Sequence, residues 1–238
     1  MEKPDTKISN RRVTSACKRL AAEYPDATLG NKRNPLDEYL YILLSLRTHE
    51  KGLEASYRGF KQAFPSWTSA ARATANQIAK AIEAGGLSRQ KAQRIRKALR
   101  HIKGEFGEVS LRKLRRMTQE DTERFLLTLP GVGLKSARCI MMYSLGFEVL
   151  PVDVHVARIS RRLGWVPDAT SVILHGLLED IIPRSERFAF HVGCVQHGRA
   201  VCRGQYPKCE VCCLAKHCPS NRQDIPGKGS RVAVRARG

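Results

Sequence analysis

Apolar residues in this chain recur at helical spacing almost from end to end, and that pattern restricts it to an all-α fold. Val13, Cys17, Leu20 and Tyr24 share one face, and Pro25 ends the run. "NPLDEYLYILLSL", from Asn34, is apolar on nearly every side and reads as a central buried helix with Asn34-Pro35 at its start. Leu53, Tyr57, Phe60 and Phe64 repeat at helical spacing, as do Ala92, Ile95, Leu99, Ile102 and Phe106 behind an N-cap-type Ser88. Thr118 is placed to cap "QEDTERFLLTL", and "LKSARCIMMYSLG" follows after a glycine-rich break. Asp153 precedes "VHVARISRRLG", where Gly164 suits a C-terminal stop. Two further helices are expected at roughly 171–182 and 185–199. No stretch reads as a strand, and no internal repeat is evident.

The 238 residues, 42% of them hydrophobic, suffice for one large domain or two small lobes. Charge points to the partner. Lys and Arg number 42 against 22 Asp and Glu, a formal +20. Each phosphate neutralised by such a surface releases condensed counterions, so nucleic acid is the expected partner. An anionic membrane is the rival, but no apolar run is long enough to span one and no basic-then-apolar leader is visible. "MEKPDTKISNRR" mixes acids with bases, unlike a mitochondrial presequence. A cytoplasmic, nucleoid-associated location is therefore expected. In such a reducing compartment clustered cysteines are more often metal ligands than disulfides.

Three stretches carry chemistry. In "LPGVGLKSA" (Leu129–Ala137), Gly131 and Gly133 permit a tight hairpin that bares the backbone around Val132. The hairpin opens into a helix N-terminus, which favours an anion, although a plain glycine turn between packed helices would look the same. Lys135, in the first turn of that helix, reads as a solvated charge, a phosphate contact or a nucleophile. The positive helix end and nearby cations would lower its pKa and free the amine. In "LPVDVHVAR", Asp153 fits a helix N-cap, and an ionised carboxylate there can also stabilise a cation or accept a proton. The window "CRGQYPKCEVCCLAKHC" supplies Cys202, Cys209, Cys212, Cys213 and Cys218. Its spacing suits a four-thiolate zinc site, with His217 a possible substitute ligand, and suits an iron–sulfur cube equally well.

Taken together, "LPGVGLKSA", "PVDVHVAR" and Cys202-x6-Cys209-x2-Cys212-x5-Cys218 resemble the endonuclease III branch of the helix–hairpin–helix DNA glycosylases. The resemblance runs from about Leu36 to Cys218 and includes "LLSLRT" and "GGLSRQKA". It implies two helical lobes flanking a DNA groove. One is a six-helix barrel over 34–147, and the other is an iron–sulfur helical domain from 11–33 with 148–221. Basic tails at 1–10 and 222–238 complete the chain, the latter with the composition of a mobile tail.

The resemblance further implies a monomer that acts on duplex DNA holding a damaged base or abasic site. Lys135 matches the family's catalytic lysine and Asp153 its aspartate. The 4Fe–4S ligands would be Cys202, Cys209, Cys212 and Cys218, leaving Cys17, Cys139, Cys194 and Cys213 spare. Arg203 and Lys208 lie on the loop between the first two ligands and are expected to meet DNA backbone. Leu87 matches an apolar wedge and Arg47 a polar plug for the gap left by a flipped base, although Arg47 could instead touch phosphate. At Arg47 the better-known relatives carry glutamine, which puts the opposite-base preference in question.

The implied reaction is removal of an oxidised pyrimidine followed by β-elimination. An adenine-mismatch glycosylase shares the fold, but it normally lacks the lysine and carries a glutamate where apolar Leu43 falls. A thymine-mismatch glycosylase usually has tyrosine at the hairpin position. A non-catalytic iron–sulfur DNA-binding protein needs neither Lys135 nor Asp153.

Overall fold

The computed structural model of the chain describes residues 10–221, and every regular element among them is helical. The first helices are α1 (Asn10–Glu23), α2 (Pro35–Ser45), α3 (Glu50–Ala63), α4 (Trp67–Arg72), α5 (Ala75–Ala81) and α6 (Ser88–Phe106). After them come α7 (Gln119–Leu127), α8 (Leu134–Ile140), α9 (Val154–Arg162), α10 (Ser171–Ile181) and α11 (Arg187–Ala200). The sequence tails assigned to 1–10 and 222–238 lie outside the described residues, apart from Asn10, which opens α1. No described helix is long and apolar enough to cross a membrane.

Two compact units emerge, divided after Ala27 and after Asp153. Lys135 and Asp153 therefore share the unit built from Thr28–Asp153, which Pro183–Phe188 rejoins. Its centre is α2. Leu36, Tyr39, Leu40, Leu43 and Leu44 are each at most 1% exposed, which explains why this helix is apolar on nearly all sides. Around it lie Phe60 of α3, Ile78 of α5, Ile95 and Leu99 of α6 and Ile140 of α8, all within one core. Each such side chain contributes about 1.5–3 kcal/mol on burial. Asn34 fixes where α2 begins, because its side-chain oxygen accepts from the N–H groups of Leu36 and Asp37.

Two features depart from the periodicity reading. Helices α4 and α5 span six and seven residues, less than two turns each, too short for an apolar period to repeat. Reciprocal capping boxes at Ser66 and Thr74 start them instead. At α6, Ser88 is the first helical residue and not the cap. The cap position is Leu87, left-handed at φ 51°, with no side-chain bond to the helix.

The other unit contains α1, α9, α10 and α11 from Ala189 onward. Val13, Ala16, Cys17 and Leu20 form the buried face of α1. Gly193 of α11 packs against it so closely that an added Cβ would meet Leu20 Cβ at 2.9 Å. Gly164, at φ +72°, follows the end of α9.

Candidate active site

The hairpin between α7 and α8 is built around one glycine. Gly131 adopts φ +82°, and a Cβ there would come within 2.8 Å of Leu43 Cδ1 on α2. Conformation and space both demand glycine at that position. Gly133 differs: its φ of −103° is ordinary and nothing would touch an added Cβ. It is exposed, and the missing side chain leaves the backbone bare ahead of α8. The Tyr39 hydroxyl donates to the Pro130 carbonyl at 3.0 Å and ties the hairpin to α2.

Lys135 is the second residue of α8 and keeps a solvent-facing side. Its amine bonds to Cys139, one turn further along, and senses the carboxylates of Asp153 and Glu38. Burial by itself favours loss of the proton. The Cys139 sulfur, then Asp153 and Glu38, outweigh it, and the net effect holds the Lys135 ammonium above the ordinary lysine range. This corrects the sequence reading, which weighed the helix end and surrounding cations and expected a lowered value. The groups that act most on the amine are acids, not cations.

Sequence reasoning missed two of these neighbours. Cys139, set aside as spare, is 2% exposed, and burial pushes its thiol up to about 11 against the opposing pull of Lys135. Glu38 is fully buried on α2, where it accepts from the Lys32 N–H at 2.6 Å and the Asn31 amide at 2.5 Å. Burial raises its pKa, opposed by those bonds and by Lys135. A signal for Glu38 was present: it is a charge on the buried face of an otherwise apolar helix.

Arg47 and Leu87, forty positions apart, line one pocket of about 280 Å³ together with Leu46, Gln90, Lys91 and Arg94. Both are left-handed, at φ 53° and 51°, with exposed side chains. Non-glycine residues in this region each cost about 1–3 kcal/mol and cluster at working sites.

In the other unit, Cys202, Cys209, Cys212 and Cys218 line a single pocket of about 220 Å³, and Cys213 does not. Among the described residues no three His, Cys, Asp or Glu side chains converge on the position of a single metal ion. Four thiol side chains around one pocket are the donor set that a 4Fe–4S cube takes. Two nitrogens lie against these sulfurs. Arg162 Nη1 reaches Cys202 Sγ at 3.2 Å, and His197 Nε2 lies 3.2 Å from Cys212 Sγ. Burial lowers His197 to about 4, so the ring is neutral, with Tyr24 Oη 3.0 Å from its other nitrogen.

The loop between the first two cysteines leaves Arg203 and Lys208 exposed, with Tyr206 at its tip 90% exposed and at φ 50°. It is held from α9: Arg162 donates to the Arg203 and Gly204 carbonyls at 2.7 and 2.9 Å, and Arg158 to the Cys202 carbonyl at 2.9 Å. The sequence reading named neither arginine.

This arrangement, a hairpin presenting a lysine beside an aspartate in an all-helical unit, is that of a helix–hairpin–helix protein. The chain belongs to the HhH-GPD superfamily of base excision DNA repair proteins, whose family profile matches residues 40–184. It is 32% identical to an endonuclease III of Synechocystis over 88% of this chain and 93% of that one. A protein of Arabidopsis thaliana named as a DNA glycosylase is 34% identical over 69% of this chain, which spans 56% of that longer protein. A solved non-covalent endonuclease III–DNA complex superposes with a TM-score of 0.76 at 25% identity, over 91% of this chain and 98% of that one.

Proposed function

We propose that this chain is a base-excision DNA glycosylase with an associated lyase step, that Lys135 is its nucleophile, and that it removes oxidised pyrimidines from duplex DNA. The observation carrying this reading is the setting of Lys135, an amine at a bare hairpin-to-helix junction that bonds to Cys139 and senses the charge of Asp153 in the same unit. Family membership supplies the reaction class, and a mismatch glycosylase without the lysine or a passive DNA binder would need no such pairing.

In this reading the unprotonated Lys135 amine attacks the sugar C1′, the glycosidic bond breaks, and the departing base takes up a proton. Asp153 accepts the ammonium proton beforehand and gives it to O4′ as the C1′–O4′ bond opens, which leaves an iminium at C1′ beside the restored carboxylate. The resulting iminium acidifies the C2′ proton, whose loss expels the 3′ phosphate and cuts the strand. Gly131, Val132 and Gly133 offer backbone to a phosphate, while Arg47 and Leu87 fill the gap left by the extruded base. Cys202, Cys209, Cys212 and Cys218 would hold a 4Fe–4S cluster. When bound, the cluster supplies a covalent tie that keeps Arg203 and Lys208 on a loop of fixed shape, so little entropy is lost on meeting DNA.

The sign of the Lys135 shift has a kinetic consequence. A raised value means less free amine at any given pH than an ordinary lysine would supply, so trapping should accelerate as pH rises through and beyond neutrality. Asp153 is one of the groups that raise it. Asp153→Asn should therefore move the alkaline limb of the trapping profile to lower pH, even as its maximal rate falls. A limb that stays in place or moves upward counts against Asp153 acting on the amine.

The substrate reading is tested with single-lesion duplexes, each lesion opposite all four bases in turn. Oxidised pyrimidines should be excised well ahead of mismatched adenine or thymine. A guanidinium offers donors only, and guanine presents O6 and N7 acceptors, so lesions opposite guanine should react fastest. Arg47→Gln should flatten that preference. If Arg47→Gln instead weakens all four duplexes alike and reduces the salt dependence by about one phosphate contact, Arg47 touches backbone and does not plug the gap.

A further inference from the structure

We infer that Lys91 is a positioning residue: its buried ammonium locks the Arg47 tip and the Leu87 tip to each other, so that both can enter a duplex as one rigid device. The inference rests on the wedge-and-plug reading of those two residues and adds what holds them.

Lys91 lies on α6 and is 2% exposed. Its Nζ donates to the Leu44 carbonyl at 2.8 Å, to Thr48 Oγ1 at 2.5 Å and to the Gly85 carbonyl at 3.2 Å. Those three acceptors match the three donors of an ammonium, and none of them is a carboxylate. An ammonium held this way is expensive: desolvation lowers its pKa, and an apolar side chain of the same length would avoid that penalty. Stability alone is a poor reason to keep it.

The position of the acceptors gives a better one. Leu44 and Thr48 flank Arg47 on either side, and Gly85 stands two residues before Leu87. Leu44 is in the last turn of α2, where the helix carbonyls are unpaired and attract a cation. Thr48 Oγ1 also donates to the Gly85 carbonyl at 2.8 Å, a direct link between the two loops. The main-chain N–H of Lys91 donates to the Leu87 carbonyl at 3.0 Å. One side chain thus pins two of the three described segments in which a non-glycine residue sits at positive φ, and such conformations persist only where neighbours over-determine them.

The test uses the full chain and borohydride trapping under single-turnover conditions, on an abasic site in duplex DNA and on the same site in a single strand. A single strand has no gap to fill, so a positioning role is invisible there. Lys91→Met should slow duplex trapping by roughly tenfold to a hundredfold, as misplacement of a positioning group does. Single-strand trapping should stay at the wild-type rate. Thr48→Val, which removes one acceptor and the direct link and is the milder change, should shift the duplex rate in the same direction by a smaller factor. Adding Leu87→Ala to Lys91→Met should cost little more, because the two act as one unit.

Equal slowing on both substrates, or full additivity in the double variant, overturns the proposal in favour of simple core stability. Leu87→Ala separates the two readings. Duplex-specific loss in Leu87→Ala with none in Lys91→Met defeats the positioning role alone, and no loss in Leu87→Ala defeats the wedge reading and this proposal with it.

Discussion

Lys135→Gln is expected to abolish borohydride trapping on abasic-site DNA, with trapping falling below detection, while DNA affinity stays close to that of the unaltered chain. The two readouts separate because they draw on different groups. Trapping requires an amine that can form a carbon–nitrogen bond, and a glutamine amide cannot form the iminium that borohydride reduces. Affinity is spread over many phosphate contacts on a chain of formal charge +20, so loss of one cation changes it slightly. The fold should tolerate the change as well. Lys135 keeps a solvent-facing side, and its partners do not depend on it alone: Glu38 is bonded to Lys32 and Asn31, and burial by itself holds the Cys139 thiol high. Residual trapping in Lys135→Gln would mean that another amine is the nucleophile.

The second large effect is expected at the cysteine pocket. Anaerobically purified protein should be yellow-brown, with broad visible absorption and about four irons per chain. Replacing Cys202, Cys209, Cys212 or Cys218 by serine should remove the colour and the iron together, whereas Cys213→Ser should keep both, because Cys213 does not line the pocket. The loop carrying Arg203 and Lys208 should then become the first site of limited proteolysis in the four colourless variants. Arg158 and Arg162 still grip its start, but nothing covalent closes its far end. One zinc per chain in a colourless preparation would overturn the cluster assignment, as would iron retained in Cys212→Ser.

Much of this protein is legible before it folds. Helical spacing marks α1, α2, α3 and α6, and the cap residues Asn34 and Thr118 do locally what their short side chains allow. The four spaced cysteines and "LPGVGLKSA" are readable for the same reason, since a loop ligand set and a hairpin are written in consecutive residues. Local rules failed where the signal was shorter than its period, as in α4 and α5, or where tertiary strain displaced the obvious cap, as when Leu87 took the place of Ser88.

Linear order alone determined that the chain is helical, basic, armed with a lysine at a hairpin, and furnished with a cysteine loop. Those properties depend on spacing and residue type, which do not change on folding. Only the tertiary structure decided the environment of each group. Lys135 meets Glu38, ninety-seven positions away, and Cys139, and so keeps its proton more firmly than the helix end suggests. Lys91 reaches oxygens on two separate loops, and Arg47 and Leu87 are bent into left-handed conformations around one pocket. Charge coupling and burial depend on distance in space, and a sequence specifies that distance only through the whole of its packing.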